Sequence, residues 1–422
     1  MPMQTADPPN ENVAPPSGHP APGEMAGFTA PPANAAIVAP TSVESERFSA
    51  AANALGFDIY GKLRGNEGNL FFSPASIEIA FAMTASGART ATATEMNRVL
   101  HVGGSPDAFH QSAGRILNGM NAPHADYELA VVNRLFGEQT YRFEAPFLAM
   151  TRDTYRAPFE PMDFVGAAEP GRLRINRWVG TQTNDRIRDL LPPASLDALT
   201  RLVLVNAVYF LGKWERPFAT SRTQPGYFYV GGTDRQTTPM MHLTARFQYA
   251  ENDGVQVFEM RYQGGELAMT VLLPRDRTGL VALESGLDAT KLARLTRGLH
   301  AQEIAVSLPK FKIENARIPL SAVMQDLGMR LAFSPHGADF TGIGNPPNAD
   351  ERLFISNAFH EAFIKVDEAG TEAAAATAVV MATRGAMPAP PTEVLVDHPF
   401  VFLIRDTRTH TVLFLGRVSD PR

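Results

Sequence analysis

The strongest constraint on the fold comes from the stretch RLVLVNAVYFLGKWERPF at 201–218, which opens with a continuous apolar run. A run without polar alternation is typical of a strand that other layers cover on both faces. Helix patterns dominate up to about residue 120, whereas strand patterns such as ADYELAVVNRLFGEQ at 125–139 recur later and prevail after residue 220. Helices first, with strands distributed along the chain, predict an α+β fold with large mixed sheets.

Several helix starts carry recognisable signals. SVESERFSAAANALGFDIYGKL has apolar residues at helical spacing, and either Ser42 or Ser45 is placed to cap it. Ser73 precedes Pro74, which is the usual order of a cap and a first helical turn. A further amphipathic helix is predicted over 173–191, LRINRWVGTQTNDRIRDLL.

Composition excludes several classes of protein. The chain of 422 residues is 44% hydrophobic with a net charge of −6, so it can build a large core and has no global attraction for nucleic acid. It contains no cysteine, which excludes disulfides, thiol nucleophiles and Cys-ligated zinc. No apolar run reaches the ~18 residues that would predict a membrane span. The first residues also lack the apolar core of a signal peptide.

The N-terminal segment differs from the rest of the chain. Residues 1–40 are rich in Pro, Ala, Asn and Gly and contain few large apolar side chains. We therefore expect a disordered tail over 1–40, followed by one ordered domain over 41–422. Basic residues that are mostly Arg, together with the lack of cysteine, indicate a GC-rich bacterial source.

Catalytic motifs are incomplete wherever they begin. His360-Glu361 starts like the zinc motif HExxH, but Ile364 stands where the second histidine belongs. Gly212-Lys213 starts like a phosphate-binding loop, but no Ser or Thr follows. No GxSxG elbow occurs. We expect a protein that is not an enzyme and needs no metal or cofactor, although side chains distant in sequence can still combine in space.

One segment fits no single secondary structure. DEAGTEAAAATAVVMATRGAMPAPPTEV, at 367–394, begins with strong helix formers, continues with strand-forming Thr and Val, and ends in prolines that stop regular elements.

Six segments, in order along the chain, resemble the serpin family of large serine protease inhibitors. They lie at 69–88, 202–218, 309–314, 327–343, 360–380 and 397–421. One departure is Asp185, where the family more often has Gly. The resemblance, which covers about 45–422, implies a fold with three β-sheets and about nine helices. It also implies an exposed reactive-centre loop at about 368–392 that a protease cleaves and that then inserts into the largest sheet.

The loop meets the demands of insertion. A segment that becomes a strand alternates faces with period two, and the face that starts at Thr371 and ends at Thr383 contains no charge and no Pro. Glu372 is the single charge on the opposite face, and Pro is absent from 370–387. By resemblance the hinge comprises Glu368, Gly370, Thr371, Glu372, Ala373, Ala374, Ala375, Ala376 and Thr377.

The same register identifies a reactive bond. In the family the scissile bond usually follows the hinge glycine at a fixed distance, which places it here at Arg384–Gly385. A shift of the bond by one to three residues toward the N-terminus would make Thr383 or Met381 the bait. TAVVMATR, which ends at Arg384, also resembles the corresponding loop of antithrombin. The implied partner is an Arg-specific, trypsin-like serine protease in a covalent 1:1 complex with a monomeric inhibitor. The alternative is a non-inhibitory serpin with a binding or chaperone-like role.

Residues that control the sheet are also implied by the resemblance. Ser73, Ser76, Asn206 and His360 match a polar cluster beneath the middle of the main sheet. Trp214 is expected at the top of the sheet, where insertion begins, near Glu368 and Gly370. Buried polar side chains among apolar runs need one another as hydrogen-bond partners, so the residue types agree with this placement.

The resemblance also bears on heparin binding and on the cellular location of the protein. Heparin-activated members have a basic cluster on an early helix, but 105–120 offers only Arg115 and His110, so no heparin site is expected. The family favours an extracellular or periplasmic location, and the cytoplasm is the alternative.

Overall fold

A computed structural model of the protein describes residues 40–371 and 390–422, which contain nine α-helices and fifteen β-strands. The predicted α+β class is confirmed. The helices are α1 Ser42–Leu63, α2 Pro74–Ala85, α3 Thr90–Val99, α4 Pro106–Met120, α5 Ala145–Asp153, α6 Phe164–Gln182, α7 Leu280–Glu284, α8 Ala289–Leu295 and α9 Leu320–Asp326. The strands are β1 Leu70–Phe72, β2 Tyr127–Glu138, β3 Phe159–Met162, β4 Leu202–Lys213, β5 Gln224–Val230, β6 Asp234–Asn252, β7 Val255–Arg261, β8 Leu267–Pro274, β9 His300–Pro309, β10 Phe311–Pro319, β11 Phe359–Val366, β12 Gly370–Thr371, β13 Thr392–Leu395, β14 Phe400–Asp406 and β15 Val412–Val418.

The strands of the described residues form two hydrogen-bonded sheets. The six-stranded sheet has the order β10-β11-β12-β4-β2-β3. The nine-stranded sheet has the order β1-β15-β14-β8-β7-β6-β9-β13, with β5 also paired to β6. Strand β6 is long enough to pair with three strands in turn. Its first part pairs with β5, its middle with β9 and its end with β7. Because β6 connects all of these strands, they form one continuous sheet, and the described residues have two sheets rather than the three that were expected.

Helix α2 lies between the two sheets and contacts both β4 and β15. All of its residues except Ala80 are buried, as expected of a helix enclosed by other layers. Ser73 caps it by accepting a hydrogen bond from the backbone N–H of Ser76, and Pro74 occupies the first turn, as predicted. The cap of α1, in contrast, is Thr41, which forms a capping box with Glu44, rather than Ser42 or Ser45.

Helix α6 departs from its predicted bounds. It begins at Phe164 and ends at Gln182, whereas the sequence pattern predicts a helix over 173–191. Asn184 and Asp185 adopt left-handed backbone conformations with φ of 48° and 60°, which a right-handed helix does not accommodate. The position of Asp185 is where the serpin pattern more often has Gly, the residue best suited to this conformation.

No helix of the described residues is both long enough and apolar enough to cross a bilayer.

One side chain of α2 is an exception to the apolar core. Glu78 is fully buried, and neither of its carboxyl oxygens has a hydrogen-bond partner in the structure. Burial raises the pKa of Glu78 well above its usual value of 4.5, because the ionised form is poorly solvated there. The native state therefore favours the protonated carboxyl.

Replacing Glu78 by Met should stabilise the protein, because the substitution removes a buried carboxyl that has no partner. We expect a gain of about 1–3 kcal/mol at pH 8, measured from urea denaturation midpoints. A raised native pKa gives stability that is present below the unfolded value of 4.5 and is lost as the pH rises through the native value. The gain should therefore be smaller at pH 4.5 than at pH 8.

Glu284 provides the matched control. It is also buried, but it accepts hydrogen bonds from Tyr60 at 2.6 Å and from Arg417 at 3.0 Å. Glu284→Met should destabilise the protein by about 3–5 kcal/mol, because it leaves Arg417 buried without its partner. Equal effects of the two substitutions would contradict this account of Glu78.

Candidate functional site

The candidate site is the place where the chain after β11 re-enters the six-stranded sheet. Strand β12 lies between β11 and β4 and pairs with both, through Val366 opposite Thr371 and Lys213 opposite Gly370. Both pairings are antiparallel. An interior position of the sheet is therefore occupied by the first two residues of the segment that the sequence identifies as a hinge.

Gly370 is required here by space rather than by backbone flexibility. A Cβ atom on this residue would lie 2.0 Å from the carbonyl oxygen of Gly212 and 2.8 Å from the Cα of Lys213. Backbone atoms cannot yield to such a contact, so only glycine fits between β11 and β4 at this point.

Trp214 holds the turn that connects β11 to β12. Its backbone N–H donates to the carbonyl of Ala369 at 2.9 Å, and its indole Nε1–H donates to the carbonyl of Asp367 at 3.0 Å. The indole stacks on the ring of Tyr262 with centroids 4.5 Å apart. The Tyr262 hydroxyl in turn lies 2.7 Å from the hydroxyl of Thr371, which is buried. One aromatic pair thus fixes both the turn and the first inserted side chain.

Glu368 fixes the other side of the same turn. Its carboxylate accepts hydrogen bonds from Lys310 Nζ at 2.9 Å and from the Thr223 hydroxyl at 2.7 Å, while its backbone carbonyl accepts from the N–H of Phe218. Burial alone would favour the neutral acid, but the hydrogen bonds from Lys310 and Thr223 lower the pKa of Glu368 below its usual value. The carboxylate is therefore ionised at neutral pH, and it connects the hinge to Lys310, between β9 and β10, and to Thr223, just before β5.

A second polar cluster lies where α2 packs against the six-stranded sheet. The Ser76 hydroxyl donates to Oδ1 of Asn206, and Asn206 Nδ2 donates to Oδ1 of Asn133 at 2.7 Å. The backbone N–H of Ser73 donates to Nε2 of His360 at 3.1 Å. The cluster therefore joins α2 to β2, β4 and β11, which are strands on both sides of β12. It links the elements that must separate or slide if the sheet widens.

His360 takes part in this cluster as a neutral imidazole. It is 2% exposed, and burial lowers the pKa of His360 to about 4 because the core does not solvate an imidazolium. Since Nε2 accepts the hydrogen bond from Ser73, the ring proton of the neutral form is on Nδ1.

The structure brings every predicted site residue within the described ranges into these two groups. Ser73, Ser76, Asn206 and His360 are in or next to one hydrogen-bonded cluster, and Trp214, Glu368, Gly370 and Thr371 surround the hinge. The remaining predicted residues lie outside the described ranges: Glu372, Ala373, Ala374, Ala375, Ala376, Thr377, Arg384 and Gly385, with the alternative bait residues Met381 and Thr383. Across 40–371 and 390–422, no group of three or more His, Asp or Glu side chains is placed to hold a metal ion.

Sequence reasoning missed four residues of the site. Asn133 is the cross-strand neighbour of Asn206, and a lone Asn within the apolar strand LAVVNRLFG was the available signal. Tyr262, Lys310 and Thr223 contact the hinge through tertiary packing between elements far apart in the chain, for which the sequence carries no local signal.

Known proteins match this chain over most of its length. The family model described as serpin (serine protease inhibitor) matches residues 50–421. An uncharacterized serpin-like protein of Thermococcus kodakarensis is 39% identical over 375 residues, which cover 88% of this chain and 85% of that protein. Leukocyte elastase inhibitor A of Mus musculus is 38% identical over 386 residues, covering 89% of this chain and 100% of the inhibitor. The crystal structure of uncleaved ovalbumin is similar with a TM-score of 0.78 and 33% identity, covering 89% and 100% of the two chains.

Acidification should weaken the polar cluster through His360. A native pKa of about 4, against 6.5 for the free side chain, gives stability that is present above pH 6.5 and is lost as the pH falls toward 4. That loss amounts to about 3 kcal/mol. His360→Gln should lose less stability over this pH range than the wild type, as measured by urea denaturation at a series of pH values.

The exposed His336 is the control for this experiment, because His336→Gln should leave the pH dependence of the wild type unchanged. If His360→Gln follows the same pH curve as the wild type, the neutral buried imidazole is not a determinant of stability.

Proposed function

The chain belongs to the serpin family, and we propose that it acts as an inhibitory serpin that traps a trypsin-like serine protease after cleavage at Arg384–Gly385. The observation that carries the proposal is the position of Gly370 and Thr371 between β11 and β4. This position supports insertion of the segment that follows between the same two strands.

The orientation of Thr371 supports insertion of the rest of the loop. Its side chain is buried against Tyr262, so the inward face of strand β12 is the face that contains Thr371. Continuation of the strand with period two would turn Ala373, Ala375, Thr377, Val379, Met381 and Thr383 inward. No residue of this set is charged, and Glu372 would face outward. Insertion would therefore bury no ionised group, which would otherwise cost several kcal/mol.

The backbone of the loop also suits an interior strand. No Pro occurs from 370 to 387, so each residue of the inserted portion has an N–H for the ladder. Pro388, Pro390 and Pro391 follow the reactive bond and lie outside the portion that would insert. The segment from Thr371 to Arg384 would extend over about 46 Å as a strand at ~3.3 Å per residue. An enzyme attached to Arg384 would be carried across most of the domain.

The chemistry of the trap is supplied by the protease. Its serine hydroxyl attacks the carbonyl carbon of Arg384, its histidine takes the hydroxyl proton, and that proton passes to the departing amine of Gly385. The result is an ester between the protease serine and Arg384. Insertion of the loop then separates the ester from the groups that would hydrolyse it. The inhibitor contributes the bait residue and the free energy of the added strand.

Arg384 determines the class of target. A guanidinium group pairs with a carboxylate through two parallel hydrogen bonds, which is the recognition used by the primary pocket of trypsin-like enzymes. A relative in mouse is named as an elastase inhibitor. We propose that this chain differs from that relative in its target protease, and that the difference is due to the residue at the reactive bond rather than to the fold.

A non-inhibitory, binding or chaperone-like serpin is the second candidate. It is disfavoured by the small, uncharged side chains on the inward face of the hinge. A protein that does not insert its loop has no requirement for such a face.

Incubation with trypsin should produce a covalent 1:1 complex that survives SDS electrophoresis, with release of the peptide 385–422. Arg384→Leu should abolish the complex with trypsin, because the primary pocket of trypsin needs a basic side chain. Mass spectrometry of the released peptide locates the cleaved bond. Cleavage at Arg384 without any stable complex would contradict the inhibitory function and favour the alternative.

Thr371→Arg should convert the inhibitor into a substrate, because a guanidinium cannot be buried against Tyr262 and the start of the strand between β11 and β4 would be lost. Glu372→Arg is the matched control: it places the same charge one residue further along, on the outward face, and should inhibit nearly as well as the wild type. The measurement is the number of inhibitor molecules consumed per trypsin molecule inactivated. Equal impairment by the two substitutions would contradict the register of insertion.

A further inference from the structure

A cavity of about 230 Å³ is lined by Trp214, the residue that holds the hinge turn. Its walls are the turn after β4, the middle of β6, the end of β7 and the start of β9. Trp214 and three arginines, Arg216, Arg246 and Arg261, line it. The arginines come from three separate elements, so the folded structure brings together charges that are dispersed in the sequence.

Two of the three guanidinium groups are held by backbone carbonyls rather than by carboxylates. Arg216 donates to the backbone carbonyl of Arg246 at 3.1 Å, and Arg246 donates to the carbonyl of Ala301 at 3.3 Å. Within residues 40–371 and 390–422, none of the three forms an ion pair. Carbonyl groups hold such side chains in place but leave their full positive charge available.

The carboxylates at the cavity do not cancel this charge. Glu259 is buried, and its Oε1 is in an ion pair with Arg405, so its charge is already compensated. Glu215 is exposed, as are the three arginines, so one unpaired carboxylate faces three guanidinium groups. The cavity is therefore left with an excess of cationic side chains.

We propose that this arginine pocket binds an oxyanion, namely a phosphate or sulfate group on a small ligand. Guanidinium groups present planar pairs of N–H donors that match the oxygens of phosphate and sulfate. Three of them around a recess with protein walls attract an anion more strongly than single arginines on an open surface. This pocket is separate from α4, the early helix for which no heparin site is expected.

Trp214 connects the pocket to the hinge. One indole lines the cavity and donates a hydrogen bond to Asp367 in the turn before β12. A ligand in the pocket will therefore alter the surroundings of the residue that holds the hinge. Its binding can be followed by fluorescence, because the chain has only two tryptophans.

The experiment uses the full chain with Trp178→Phe, which leaves Trp214 as the only tryptophan. Trp178 packs against Phe136 on the other side of the six-stranded sheet, so phenylalanine preserves the aromatic contact. Sodium pyrophosphate and sodium sulfate are titrated separately against sodium chloride of equal ionic strength. We expect a saturable change in Trp214 fluorescence with half-saturation below about 1 mM for pyrophosphate. Saturation by sulfate as well would assign the site to oxyanions in general, and a response to pyrophosphate alone would assign it to phosphates.

The double substitution Arg246→Gln with Arg261→Gln should weaken this response at least about tenfold. Arg235→Gln is the matched control, since Arg235 is an exposed residue of the same strand β6 that lies over the ring of Tyr227. Circular dichroism verifies that both variants are folded. The proposal is overturned if neither salt gives a saturable change beyond that of chloride, or if the change persists in the double variant. The titration measures anion binding without a protease, so its result tests the arginine pocket independently of the proposed function.

Discussion

The proposed function depends on one interaction, the pairing of a strand with both β11 and β4 in the interior of the six-stranded sheet, which Gly370 and Thr371 begin. A strand in that position must supply a backbone N–H and C=O at every residue, and it must place no charge on its inward side. The first two residues, Gly370 and Thr371, already satisfy both conditions in the folded chain. The rest of the molecule can be understood as the means of holding this position ready: the helix beneath the sheet, the aromatic pair at its top, and the composition of the segment that follows.

Two kinds of interaction keep the sheet in its present form. At the top, Trp214, Tyr262 and Glu368 hold the hinge turn through directional hydrogen bonds. Beneath its middle, a chain of small polar side chains runs from α2 through Asn206 to Asn133. A buried polar group without a hydrogen-bond partner destabilises the folded state. These groups therefore favour the one arrangement of strands in which all of them have partners. Glu78, by contrast, adds a destabilising group to the same helix.

Much of this architecture could be predicted from the sequence. The unbroken apolar run of β4, the cap of α2 and the polar cluster of Ser73, Ser76, Asn206 and His360 all carry local signals, either as periodicity or as polar residues within apolar segments. The prediction for the end of α6 was wrong, because Asn184 and Asp185 fit a helical pattern but adopt left-handed backbone conformations. The partners of the hinge, Tyr262 and Lys310, and the arginine pocket could not be predicted, because each arises from elements that become neighbours only in the folded sheets. The steric need for Gly370 likewise depends on the distance between two strands.

The central claim is that the cleaved loop becomes an interior strand, and the thermal stability of the protein before and after cleavage tests it most directly. A metalloprotease such as thermolysin forms no acyl-enzyme and is therefore not trapped, so a catalytic amount of it provides protein cleaved in the loop, and mass spectrometry verifies that the cleaved bond lies near Arg384. Completion of the ladder between β11 and β4 adds backbone hydrogen bonds and buries the inward face of the loop, so the cleaved protein should melt at a far higher temperature than the intact protein. An unchanged or lower melting temperature after cleavage near Arg384 would contradict insertion and the account built on it.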